Sequence, residues 1–160
     1  MFILFCGPDC CGKDFLMHAL SKTYNYSLFM SPRSPICNIV YDKIYDRKHN
    51  LASNLELIQK FLEFNAIFVY VNVEPEILVK RAESRNEKHV RLIEDFRKHI
   101  EVYNQVLSFL KKEFYQFENR FIEIENNTDI NIVIENLKNK IDKLEVEIDR
   151  YNKIYPIIKN

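Results

Sequence analysis

Glycine is nearly missing from this chain. It occurs twice in 160 residues, at Gly7 and Gly12. Charge of one sign is missing too: 23 basic residues meet 23 acidic ones. A zero balance supplies no general field for a polyanion, which argues against nucleic acid as an obligatory partner, although a local patch could survive it. No apolar run approaches the ~20 residues of a membrane span, so no membrane partner is expected. The apolar opening, residues 1–6, is short for a secretory leader and has no basic start. The four cysteines, Cys6, Cys10, Cys11 and Cys37, lack any paired zinc spacing. A reduced protein of the cytoplasm, the host's cytoplasm for a viral chain, is the expectation. Repeats, linkers and low-complexity segments are absent as well.

What is present is an ordinary globular composition, 47% apolar and 29% charged. At this length one domain is expected, residues 1–160, with room for a sizeable core. Its organising stretch is FILFCGPDCCGKD, residues 2–14. Five uncharged residues stop at Gly7; Gly12 and Lys13 follow at the spacing GxxxxGK. Both glycines of the chain therefore stand where a phosphate-binding loop needs them, after a buried strand and before a helix. Glycines let such a loop fold back so that its N–H groups face phosphate oxygens. The lysine adds a point charge, and the helix its positive end. The bland alternative is a tight strand-to-helix turn with an accidental lysine. On the loop reading, Gly7, Pro8, Asp9, Cys10, Cys11, Gly12, Lys13 and Asp14 hold the phosphates of ATP. The position after the lysine is usually Ser or Thr, whose hydroxyl ligates Mg²⁺. Here it is Asp14. A carboxylate can ligate Mg²⁺ as well, or its charge can spoil catalysis and leave a binder.

Along the chain, strand and helix patterns alternate. Residues 14–24 read as a helix, and residues 26–30 as a short strand. SPRSP follows as an extended loop that holds Arg33 beyond that strand. Residues 36–41 read as a third strand ending at Asp42, with Lys43, Asp46, Arg47 and Lys48 beyond. In a parallel sheet, ligands bind past the carboxyl ends of the strands, so Asp42 and Lys43 are placed for function. Residues 51–64 give a helix and 66–73 a nearly continuous apolar strand. Pro75 then sits where a helix could begin. KRAESRNEKHVR, residues 80–91, is basic, and Arg81 and Arg85 are four apart on one helix face. Such a pair suits the spread charge of a phosphoryl group in transfer; a solvated basic face is the plainer reading. Phe96, Ile100, Tyr103, Leu107, Leu110, Phe114 and Phe117 mark a long amphipathic helix. Residues 121–124 make a fifth strand. A last long helix spans about 129–151, capped by Thr128 or Asp129. Its four-three seam could pair with a second copy, giving a homodimer, while its first half reads rather as a core-facing helix. The alternation implies a five-stranded parallel sheet with helices on both faces.

These residues resemble a family. GPDCCGKD is similar to the GPDGxGKS-type loop of thymidylate kinases and of the viral deoxynucleoside monophosphate kinases close to them. SPRSP resembles the family's TREPG, with Arg33 at its arginine. IVYDK resembles a strand ending in DR, Asp42 keeping the aspartate and Lys43 replacing the arginine. VNVEPEILVKRAESR looks like LDVPPEVALERAKKR, which brings in Arg81 and Arg85. The DF dipeptide and Tyr103 of the next helix also fit. The family's lid pair appears as Glu87 and Lys88, in a short lid at about 84–91. The resemblance implies a three-layer α/β/α P-loop NTPase fold. It also implies transfer of the γ-phosphoryl of ATP, with Mg²⁺, to a thymidylate-like deoxynucleoside monophosphate. Lys13, Arg81 and Arg85 would be catalytic, and Asp14 and Asp42 would hold the metal. Arg33, Asp42 and Lys43 would hold the acceptor, with Asp9 on its sugar. Two rival expectations stand beside it: a P-loop kinase for another acceptor, such as a modified base or a nucleic-acid end, and a catalytically silent nucleotide-binding subunit.

Overall fold

The computed structural model describes residues 1–48, 50–85 and 92–154. Four strands form one parallel sheet: β1 (Phe2–Cys6), β2 (Phe29–Ser31), β3 (Ile67–Asn72) and β4 (Phe121–Glu125), in the order β2-β1-β3-β4. Among the described residues six α-helices connect and flank them: α1 (Lys13–Thr23), α2 (Pro35–Tyr45), α3 (Leu51–Glu63), α4 (Pro75–Ser84), α5 (Ile93–Glu113) and α6 (Ile130–Ile154). Among the described residues no helix is long and apolar enough to cross a membrane.

Side chains alternate across a strand, so each central strand feeds two cores. Ile3, Phe5, Ile67, Val69 and Val71 join Leu16 and Leu20 of α1, Leu78 of α4, and Val133, Leu137 and Ile141 of α6. Leu4, Cys6, Phe68 and Tyr70 face the other way, against Ile36 and Val40 of α2, Ile58 and Leu62 of α3, and Leu107 and Leu110 of α5. This is why β3 reads as a continuous apolar run: five of its six residues are buried. β4 lies at the edge, and its alternation is clean, with Ile122 and Ile124 buried while Glu123 and Glu125 are exposed.

The expected third strand is a helix. Residues 36–41 lie inside α2, so the sheet has four strands and not five. A short apolar run does not by its periodicity separate strand from helix. Here Pro35 decides it. It occupies the first turn of α2, where its fixed φ suits a helix and its missing N–H costs nothing. Pro35, Ile36, Cys37 and Val40 then form the buried stripe. Asp42 consequently sits within a helix and not at a strand's exit. The remaining elements fall close to the sequence reading. α5 ends at Glu113, before Phe114 and Phe117. α6 is capped by Asp129, whose Oδ1 accepts the Asn131 N–H at 2.8 Å. It runs to Ile154.

The loop between β1 and α1 departs from ordinary backbone geometry. Gly7 has φ 145°, Cys10 has φ 63° and Gly12 has φ 90°. Left-handed backbone costs an L-residue about 1–2 kcal/mol, so Cys10 is held in place by its surroundings. At Gly7 the need for glycine is double, because a Cβ there would lie 2.6 Å from the carbonyl oxygen of Val71 in β3. That neighbour is sheet backbone and cannot yield. Gly7→Ala is therefore expected to destabilise the fold by about 2–5 kcal/mol, from backbone strain plus overpacking. Thermal unfolding should report a melting point roughly 5–15 °C lower. An unchanged melting point would mean that the loop does not pack against β3 as described.

Candidate active site

The loop closes around its lysine. Lys13 opens α1 and is only 9% exposed, yet its Nζ is well satisfied. It donates to the carbonyl oxygens of Gly7 at 2.8 Å and Pro8 at 2.7 Å, and lies 3.4 Å from Cys11 Sγ. Burial works against the ammonium. The Cys11 and Cys37 sulfurs and the Asp9 carboxylate work for it more strongly, and the pKa of Lys13 ends above its ordinary value. Burial pushes the Cys6 and Cys11 thiols up, so both stay protonated near neutral pH. The cysteines thus act as small apolar filling of the loop, and all four are buried without a disulfide.

In front of the loop is a cavity of about 320 Å³. Asp9, Cys10, Gly12, Lys13, Asp14 and Phe15 line one side of it. Three other segments reach it. Pro32 and Arg33 come from the exit of β2, where Ser31 Oγ donates to the Arg33 carbonyl at 2.7 Å and fixes the turn. Cys37 and Tyr41, four apart on one face of α2, form another wall. Arg85, the residue that ends α4, supplies the third. Asp9 is oriented by Tyr41, whose hydroxyl donates to Asp9 Oδ1 at 2.7 Å. The Tyr41 ring is itself stacked on Tyr45, with centroids 5.9 Å apart and planes 7° apart. Asp14 is exposed in the first turn of α1, at the positive end of the helix.

The sequence-expected residues divide. Gly12, Lys13, Asp9, Asp14, Arg33 and Arg85 are brought together. Arg81 and Arg85, expected to act as a pair, are not directed alike. Arg85 lines the cavity, whereas Arg81 lies behind the loop. Arg81 Nη1 donates to the Cys11 carbonyl at 3.4 Å and Nη2 to the Asn126 carbonyl at 2.8 Å. Burial pulls the Arg81 guanidinium below its usual pKa, and the neighbouring Arg85 adds to this.

Asp42 and Lys43 do not line the cavity. Lys43 Nζ donates instead to Gln105 Oε1 of α5 at 2.7 Å. The reason is the helix: α2 turns Cys37 and Tyr41 inward, where a strand would have delivered Asp42 at its tip. Of the expected metal pair, Asp14 lines the cavity and Asp42 does not. Among the described residues no group of three His, Cys, Asp or Glu side chains is gathered as for a metal ion. Most of the lid expected at 84–91 lies outside the described residues.

Tyr41, Cys37 and Asn126 were not expected at the site. The i,i+4 spacing of Cys37 and Tyr41 would have pointed to them had residues 36–41 been read as helix. Nothing in the sequence marks Asn126. It is 3% exposed, and its Nδ2 donates to the Cys11 carbonyl at 2.8 Å. A larger groove of about 720 Å³ runs along α5 past the exits of β3 and β4, lined among others by Asn72, Asn104 and Glu125. Among the described residues its lining holds Arg97 but neither lysine nor glycine, and no residue with left-handed backbone. The smaller cavity is the one lined by Lys13, Gly12, Arg33 and Arg85.

Fold and site together define an α/β protein with a parallel sheet whose β1–α1 loop presents a lysine and a helix N-terminus to one cavity. No protein-family model matches the chain. It is similar to the SPbeta prophage-derived protein YorR of Bacillus subtilis (strain 168), with 22% identity over 135 residues, 66% of this chain and 81% of that protein. The crystal structure of YorR in complex with phosphorylated GDP shares the fold, with a TM-score of 0.68 at 20% identity, covering 92% of this chain and 98% of that one.

Proposed function

We propose that this chain transfers the γ-phosphoryl group of ATP to the phosphate of a deoxynucleoside monophosphate, thymidylate or a close analogue, on a P-loop kinase scaffold. The observation that carries this reading is the convergence of Lys13, Arg33 and Arg85 on one cavity from three separate elements. Phosphoryl transfer between two phosphates asks for positioning and charge stabilisation more than for a base, because the acceptor is already anionic. In this reading the loop holds the donor phosphates through Cys10, Gly12 and Lys13, which line the cavity, while Gly7, Pro8 and Cys11 shape it from beneath. Arg85 meets the transferring group, where charge spreads in the transition state. Arg33 holds the acceptor phosphate, and Asp9, oriented by Tyr41, takes a hydroxyl of its sugar. The exposed Asp14 carboxylate beside Lys13 fits a hard divalent cation and would hold Mg²⁺. When bound, that ion offsets the charge of the phosphate oxygens it meets. Asp42 and Lys43 have no part in it.

The guanine nucleotide in the YorR structure favours a second reading, in which the acceptor base is guanine. A transfer assay with ATP, Mg²⁺ and a panel containing dTMP, dUMP, dGMP and GMP separates the two. Diphosphate formed from dTMP supports the first, and diphosphate from the guanine acceptors alone supports the second. No transfer to any member, with ATP still bound, would contradict nucleoside monophosphate kinase function.

Lys13→Ala is expected to lower turnover at least ~100-fold, the scale for removing one preorganised charge contact. The assay belongs at a temperature where circular dichroism shows the variant folded, since Lys13 also ties the loop together. Near-normal turnover would remove Lys13 from the site.

Asp14 brings a full negative charge beside anionic phosphates. Without metal it repels the nucleotide, and with metal it holds the ion more firmly. Asp14→Ser should therefore bind ATP more tightly than the parent in EDTA and should keep or gain activity in Mg²⁺. Calorimetric titrations of both proteins, with and without Mg²⁺, check this. Equal metal dependence in the two would place Asp14 outside the metal site.

A further inference from the structure

One peptide of the loop is held from behind. The carbonyl of Cys11 accepts from Asn126 Nδ2 at 2.8 Å and from Arg81 Nη1 at 3.4 Å. The two donors are themselves joined, because Arg81 Nη2 donates to the Asn126 carbonyl at 2.8 Å. Asn126 is anchored to the sheet through its own N–H, which donates to the Asn72 carbonyl at 2.9 Å. This clamp sits tight against the loop: a Cβ on Gly12 would lie 2.7 Å from Asn126 Nδ2. Gly12 lines the cavity, and neither Asn126 nor Arg81 does.

A trans peptide is planar, with its C=O and N–H on opposite sides. Drawing the Cys11 carbonyl out toward Asn126 and Arg81 therefore turns the Gly12 N–H the other way, toward the cavity. The peptide before a glycine is also the one that flips most readily, because glycine accepts φ of either sign. We infer that Asn126 and Arg81 are positioning residues that fix the 11–12 peptide so that the Gly12 N–H is offered to a phosphate oxygen. With the clamp loosened, the flipped peptide presents a carbonyl to the anion, the reverse of what an anion-binding loop needs. This inference rests on the reading of the cavity as a phosphate site.

The scarcity of glycine makes the test direct. A full-length sample labelled with ¹⁵N-glycine gives two backbone amide signals, and Gly12 is assigned through its connectivity to Lys13. Titration with inorganic pyrophosphate should move the Gly12 signal downfield in the parent. In Asn126→Leu, which keeps the size, adds no charge and removes the donor, the shift should be lost and the dissociation constant raised at least ~10-fold. Arg81 is only partly buried, so Arg81→Leu is the milder change where the Asn126 variant fails to fold, and the same loss is expected there. Arg81→Lys retains the charge but not the fork that spans two carbonyls, and it should lose affinity too. Three results would overturn the inference. One is folded variants whose Gly12 signal moves as in the parent with unchanged affinity. Another is full affinity in Arg81→Lys beside a loss in Arg81→Leu, which would mean that charge alone matters. The third is a parent whose two glycine signals ignore pyrophosphate while ATP, followed by calorimetry, also fails to bind; there the phosphate-site reading falls, and the clamp with it.

Discussion

A lysine ammonium that is nine-tenths buried has to be satisfied, and the β1–α1 loop is shaped by that demand. Leaving the charge unpaired in such a place would cost far more than a lost hydrogen bond. The loop therefore curls until the carbonyls of Gly7 and Pro8 both reach Nζ. The curl requires φ 145° at Gly7, against the Val71 carbonyl, and so it depends on β1 lying beside β3. Lys13 also begins α1, which aims the helix's positive end at the space the loop encloses. Sheet pairing, glycine placement, buried charge and helix direction are thus one linked constraint.

The rest of the site is delivered to that loop by packing. β2 pairs directly with β1, Phe2 beside Phe29 and Leu4 beside Ser31, which sets the exit of β2 next to the loop and carries Arg33 there. α2 is fixed by the core that Ile36 and Val40 share with Leu4, Cys6 and Phe68. Its remaining inward positions then fall to Cys37 and Tyr41. On the opposite face Leu78 and Ala82 seat α4, so that Arg81 meets the back of the loop while Arg85 passes its rim. The arrangement of cations follows from two cores on two faces of one sheet.

Geometry that is local in the chain was legible, and geometry that depends on distant packing was not. Gly7, Gly12 and Lys13 announce themselves because a folded-back loop needs those residue types at that spacing. The helices with three or more buried turns, and the apolar strand at β3, follow from periodicity alone. Residues 36–41 did not, since a short apolar run fits either period and the deciding feature was Pro35 in a helical first turn. That one misreading carried Asp42 and Lys43 into the expected site and kept Tyr41 out. Tyr41 reaches Asp9 across 32 residues and Asn126 reaches Cys11 across 115. Neither meeting has a local signature. The spacing set Arg81 on the same helix face as Arg85, but the direction of its guanidinium, toward the Cys11 and Asn126 carbonyls, depended on where β4 ends.

Two cavities compete on the molecule, and they separate the chemical reading from a purely geometric one. The larger groove along α5 has the volume; the smaller one has the lysine, the two arginines and the strained loop. Hydrogen–deuterium exchange, read by mass spectrometry with and without MgATP, distinguishes them in one experiment. Protection is predicted in the peptides covering residues 7–16, with little change in those covering 97–108. Protection confined to 97–108 and the β3 exit, or none at residues 7–16, would contradict a phosphate site built on Lys13.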